Sequence, residues 1–170
     1  MIQVYTGNGK GKTTAALGLA VRAAGHGMRT YIGQFLKGRK YGELAGVKKL
    51  APFVTIEQFG RKGFIHVTEK VEDEDVRRAR RALNRCRKAM LSGTYDIVVF
   101  DEVNVALYFE LLTEAEVQAV LDERPAGVEV VLTGRYAPAS IIRRADLVTE
   151  MKERKHYYAK GVKARKGIEK

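Results

Sequence analysis

The sequence is short of several things. It has one cysteine, Cys86, no tryptophan and three prolines. A single cysteine excludes an intramolecular disulfide and a cysteine-based metal cluster, and the three scattered histidines (His26, His66, His156) lack zinc-site spacing. No apolar run approaches the ~20 residues that a membrane span requires, so no membrane partner is expected. The chain opens on a strand pattern rather than a basic and then apolar leader, and a cytoplasmic location is the expectation. Acidic residues are also scarce, with 20 Asp and Glu against 31 Lys and Arg, a formal charge of +11. That excess suits a polyanion, either nucleic acid or a small molecule such as ATP.

What is present describes an ordinary globular chain: 170 residues, 45% hydrophobic and 30% charged. One domain over residues 1–170 is expected, with a basic C-terminal tail at 152–170. No repeat, low-complexity stretch or linker interrupts it. Strand and helix signals alternate, which implies a parallel sheet with ligands at the carboxyl ends of its strands. Strands are expected at 2–5, 29–35, 54–59, 97–100, 128–132 and 147–151. Helices are expected at 13–24, 72–91, 113–123 and 138–145, with a loop and short helix across 38–50. Thr113 and Glu116 have capping-box spacing. In the helix at 72–91, Val76, Ala79, Leu83, Cys86 and Met90 recur as a core face. Arg77, Arg78, Arg80, Arg81, Arg85, Arg87 and Lys88 occupy the rest, and a solvated scaffold face explains them better than a nucleic-acid stripe.

The start of the chain carries the sharpest signal. Ile2–Tyr5 lead into Thr6-Gly7-Asn8-Gly9-Lys10-Gly11-Lys12-Thr13-Thr14 and then an alanine- and leucine-rich helix. An apolar strand, a glycine-rich turn and Lys-Thr at a helix start make a P-loop. Its N–H groups form a hollow for phosphate, Lys12 supplies a mobile charge, and the Thr13 hydroxyl suits Mg²⁺. The usual first glycine of the motif is Thr6 here. A second nucleotide signature is Ile97–Phe100 followed by Asp101 and Glu102, carboxylates just past a buried strand that can hold Mg²⁺ directly or through water. Asp101 at that place also suits a helix N-cap. The chain shows no arginine-bearing lid with kinase spacing and no self-evident base for an attacking water, although Glu102 has the right chemistry for one. Triphosphate binding is therefore better supported than any particular cleavage.

Scattered pieces of the chain resemble the corrinoid adenosyltransferases of the cobalamin pathway. They are Thr6 to Ala16, Arg22 to Gly27, Gln34 to Gly38, Gly63-Phe64, Asp101 to Asn104, Thr133 to Arg135, Lys155-His156 and Gly161 to Glu169. The resemblance implies a RecA-like P-loop α/β fold, a mainly parallel central sheet with helices on both faces, and a homodimer. It implies transfer of the 5′-deoxyadenosyl group of ATP to a Co(I) corrinoid, with triphosphate leaving, ATP bound in reverse relative to ordinary P-loop enzymes, and an electron-donating flavoprotein reductase as partner. Carried over by position, Gly7 to Thr14 hold the triphosphate, Lys12 offsets its charge, and Thr13 and Glu102 ligate Mg²⁺ with Asp101 in support. Arg22 and Arg135 are further nucleotide contacts, with a structural ion pair the alternative for each.

The chain departs from the family pattern in two places. Where the family has Gly-Phe-x-Trp below the corrinoid, this chain has Gly63-Phe64-Ile65-His66. Phe64 is expected to crowd out the lower axial ligand, while His66 either crowds the face or ligates cobalt. The chain also begins at its first strand, so closure over the corrinoid is expected from a partner subunit or from the basic tail. The competing reading, motivated by the +11 charge, is a small RecA-like ATPase stimulated by nucleic acid. The matches at Gln34 to Gly38 and Gly161 to Glu169 speak against it.

Overall fold

A computed structural model describes residues 1–61 and 72–169. The described residues form a six-stranded sheet in the order β3-β2-β4-β5-β1-β6. Its strands are β1 (Ile2–Thr6), β2 (Thr30–Gln34), β3 (Val54–Gln58), β4 (Ile97–Asp101), β5 (Glu129–Thr133) and β6 (Leu147–Glu150). Every neighbouring pair is parallel. The helices are α1 (Lys12–Ala24), α2 (Gly42–Lys48), α3 (Asp73–Leu91), α4 (Val103–Tyr108), α5 (Glu114–Asp122) and α6 (Ala139–Arg144), with a 3₁₀ turn at Tyr157–Lys160.

Continuous apolar strands need cover on both faces, and β4 shows the pattern. Val98 and Phe100 join a core with α3, α4 and α5, whereas Ile97 and Val99 join a second core with α1 and α2. Alanines at 16, 20 and 23 let α1 lie close on the sheet, since they form the face that α1 buries. On α3, Ala79, Leu83, Cys86 and Met90 are buried as the helical spacing predicts, and Val76 is partly buried. The capping box at Thr113 forms: the Glu116 amide donates to its hydroxyl at 3.1 Å, and its own amide donates to the Glu116 carboxylate at 2.8 Å. One element escaped the sequence pattern. Helix α4 starts directly after Glu102, with Glu102 in its N-cap position and no side-chain cap bond.

The parallel register aligns the strand ends that matter. Gln34 stands opposite Gln58 on one side and Asp101 on the other, while Tyr5 pairs with Thr133. The carboxyl ends of β3, β2, β4, β5 and β1 thus form one edge, beside the turn that leads into α1.

Candidate functional site

A polar row runs along that edge. Gln58 Nε2 donates to Gln34 Oε1 at 2.9 Å, and Gln34 Nε2 donates to Asp101 Oδ2 at 3.0 Å. Asp101 is fully buried. Its Oδ1 accepts the hydroxyls of Thr133 at 2.7 Å and Thr13 at 2.9 Å, and its Oδ2 also accepts Lys37 Nζ at 2.9 Å. The N-cap alternative for Asp101 therefore does not hold: its oxygens face the P-loop helix and the neighbouring strands. Glu102 follows in the left-handed region at φ 67°, a conformation that is strained for a non-glycine residue and concentrates at functional sites. Its amide donates to the Thr133 hydroxyl at 2.9 Å.

The P-loop is held from one side by the end of β6. The Gly9 amide donates to the Met151 carbonyl at 2.7 Å. A Cβ at Gly7 or Gly9 would lie 2.5 or 2.7 Å from that same oxygen, so the loop can pass there only as glycine. Lys12 is buried and folds back on its own loop, with Nζ donating to the carbonyls of Gly7 and Gly9 at 2.7 Å each. Burial lowers its pKa, and Arg135 adds to the effect against the pull of Glu102 and Asp101. Burial likewise raises the Glu102 carboxyl, with Asp101 reinforcing it. For Lys37 burial works downward, but Asp101, Glu102 and Glu43 outweigh it and hold its ammonium above the ordinary lysine range.

These groups surround a cleft of about 890 Å³. Asn8, Gly9, Lys10, Gly11, Lys12, Thr13, Thr14, Glu102 and Arg135, all singled out in the sequence, line it. Thr6 and Gly7 do not: they shape the loop behind it, and the Thr6 carbonyl accepts the Met151 amide at 2.8 Å. Arg22 is not brought to the cleft. It sits in the last turn of α1, ten residues beyond Lys12 and so ~15 Å along the axis. Phe64 and His66 lie outside the described residues. The tail does reach the cleft, through His156, Ala164, Gly167, Ile168 and Glu169.

Sequence reasoning passed over Lys37, Gln34, Gln58, Thr133 and Glu169 as site residues. All of these but Gln58 fall in stretches quoted for the family resemblance. A usable signal existed: Gln34, Gln58 and Thr133 each close a strand with a polar side chain.

The arrangement is made for a polyphosphate. Lys10, Lys12, Lys37, Arg39, Lys40 and Arg135 ring the cleft together with Thr13 and Glu102, and Asp101 stands behind Thr13, 2.9 Å from its hydroxyl. Hard oxygen donors of this kind suit Mg²⁺, and an ammonium group already sits among them. The family described as ATP:corrinoid adenosyltransferase BtuR/CobO/CobP matches residues 1–169.

The chain belongs to this family.

It is similar to the corrinoid adenosyltransferase of Pseudomonas aeruginosa, 38% identical over 170 residues that cover 99% of this chain and 83% of the relative. The Escherichia coli K12 corrinoid adenosyltransferase is 37% identical over 170 residues, with 99% and 85% covered. The corrinoid adenosyltransferase CobA of Salmonella typhimurium is 39% identical over 171 residues, again with 99% and 85% covered. The α/β expectation holds in full, with the sheet wholly parallel among the described residues. None of the described helices is long and apolar enough to cross a membrane.

Proposed function

We propose that the chain transfers the 5′-deoxyadenosyl group of ATP to the Co(I) of a reduced corrinoid and releases triphosphate. One observation carries this reading: the family match runs from residue 1 to 169 and so includes every element that builds the cleft. In the reaction the corrinoid displaces the triphosphate at C5′. A cobalt–carbon bond forms, the C5′–O bond breaks, and the electron pair of the broken bond leaves with the triphosphate. A nucleophile that strong requires no general base, so the protein's task is to position the substrates and to stabilise a departing polyanion.

The named site residues then take the following roles. Gly7 to Thr14 hold the phosphates, Lys12 offsets their growing charge, and Arg135 adds a second cation from the loop after β5. Thr13 and Glu102 would hold Mg²⁺ with Asp101 behind them, and the ion when bound would neutralise part of the triphosphate charge. Phe64 crowds the lower corrinoid face and eases formation of Co(I). His66 stands where the family carries tryptophan. A flavoprotein reductase supplies the electrons, and the enzyme works as a cytoplasmic homodimer. The cleft's basic lining gives part of the excess positive charge a use that needs no nucleic-acid partner.

The test is an anaerobic assay with ATP, Mg²⁺ and chemically reduced cob(I)alamin. The spectrum of the cobalt–carbon product should develop while phosphorus NMR shows inorganic triphosphate. ADP and orthophosphate as the main early products would reject the transferase reading.

A further inference from the structure

We infer that Lys37 is a tethered cation that bridges Thr13 and Asp101 until nucleotide arrives and makes divalent-cation entry depend on nucleotide. The inference rests on the proposed triphosphate site and concerns how that site is kept before it is loaded.

An ionised carboxylate offers about four acceptor positions. Asp101 fills four: Thr13 and Thr133 on Oδ1, Gln34 and Lys37 on Oδ2. The Thr13 hydroxyl is occupied as well, since it donates to Asp101 and accepts from Lys37 Nζ at 2.9 Å. A cation that would bridge Thr13 and Asp101 thus meets an ammonium group already bridging them. Of the four donors to Asp101, three are fixed by their surroundings. Thr13 belongs to the first turn of α1, Thr133 is clamped by the Glu102 amide, and Gln34 is held by Gln58 and fully buried. Lys37 is different: its side chain is 19% exposed and it lines the cleft.

The root of this side chain is fixed although its head is free to leave. The Gly60 amide donates to the Lys37 carbonyl at 3.0 Å. The segments after β2 and β3 cross so closely there that a Cβ on Gly38 would lie 2.3 Å from the carbonyls of Gly60 and Arg61. A long, unbranched arm on a rigid pivot can swing from the carboxylate to a phosphate without moving the backbone. The ammonium spares Asp101 from being a buried, uncompensated charge, which would be strongly destabilising. An arriving triphosphate draws the ammonium away, frees one acceptor position on Asp101 Oδ2 and the Thr13 lone pair, and opens the seat for the divalent cation that accompanies it.

Free Mn²⁺ followed by electron paramagnetic resonance tests this without turnover. Nucleotide-free wild-type protein should bind Mn²⁺ only weakly, and adding ATP should create a tight site. Lys37→Met should bind free Mn²⁺ roughly tenfold or more tightly than wild type, because a like charge no longer holds the seat. Adding Asp101→Asn should erase that gain, whereas Lys37→Arg, which keeps the charge, should exclude Mn²⁺ as wild type does. Mn²⁺ should also raise the Tm of Lys37→Met but not that of the wild type. A folded Lys37→Met with wild-type Mn²⁺ affinity overturns the inference. So does wild-type protein that binds Mn²⁺ equally well with and without ATP, a measurement that needs no variant. If a fluorescent ATP analogue fails to bind wild type at all, the triphosphate reading itself falls, and the two failures stay distinct.

Discussion

Lys12 shows how much of this site is local geometry. Its ammonium is buried, tied to two carbonyls of its own loop, and pulled down in pKa chiefly by loss of solvent. Two neutral acceptors do not neutralise the charge, so the lysine is a cation waiting for an anion. Charge-assisted contacts to a leaving polyanion are made most strongly as that charge develops. Lys12→Ala should therefore lower kcat/KM by roughly two or more orders of magnitude while circular dichroism stays as in wild type. Near-normal turnover by a folded Lys12→Ala protein would remove this residue from the phosphate contact. Asp101 makes the complementary point, as an acid whose role is set by four neighbours from two strands, a helix and the segment after β2 rather than by its place in a motif.

At the scale of elements, α3 decides how the positive charge is to be understood. Arg77 and Arg78 pair with Glu74 on the same helix, Arg80 with Glu116 on α5, Arg87 with Glu123 at the end of α5, and Arg85 with Glu57 on β3. These are exposed pairs, worth little individually, but they set carboxylates among the arginines of α3. Single-stranded nucleic acid is expected to bind weakly at ~150 mM salt and not to stimulate ATP turnover. Tight, steeply salt-dependent binding with stimulation would favour the ATPase instead. The core face of α3, the six strands and the P-loop were legible because each has a periodicity or fixed spacing that a linear sequence preserves. The polar row of Gln58, Gln34, Asp101 and Thr133 was not, because it exists only through the register of four strands far apart in sequence. Helix α4 was missed for a related reason: it begins at a strained Glu102 with no capping side chain, so it lacks a start signal.

At the scale of the whole molecule, the two ends of the chain meet over the cleft. Lys10 of the P-loop donates to Glu169 at 3.0 Å, to the Ile168 carbonyl at 3.1 Å and to the Tyr157 hydroxyl at 3.2 Å. Glu169 also accepts from Tyr157 and from Arg165, whose guanidinium lies 4.8 Å from the Tyr157 ring centroid. Arg165 foremost, then Tyr157 and Lys10, hold the Glu169 carboxyl well below the usual carboxylate range. A depressed acid contributes its stabilisation above its unfolded pKa and loses it only as pH falls through the lower folded value. Docking of residues 157–169 should thus be as firm at pH 5 as at pH 7, loosening only below the ordinary glutamate range of ~4.3. Hydrogen exchange on those amides should show equal protection at both pH values after correction for the intrinsic rate. Glu169→Gln should expose the same amides at either pH yet leave β1, β4 and β5 protected, because the tail adds nothing to the two sheet cores. Protection in Glu169→Gln equal to wild type would mean that the tail is held by something other than this carboxylate.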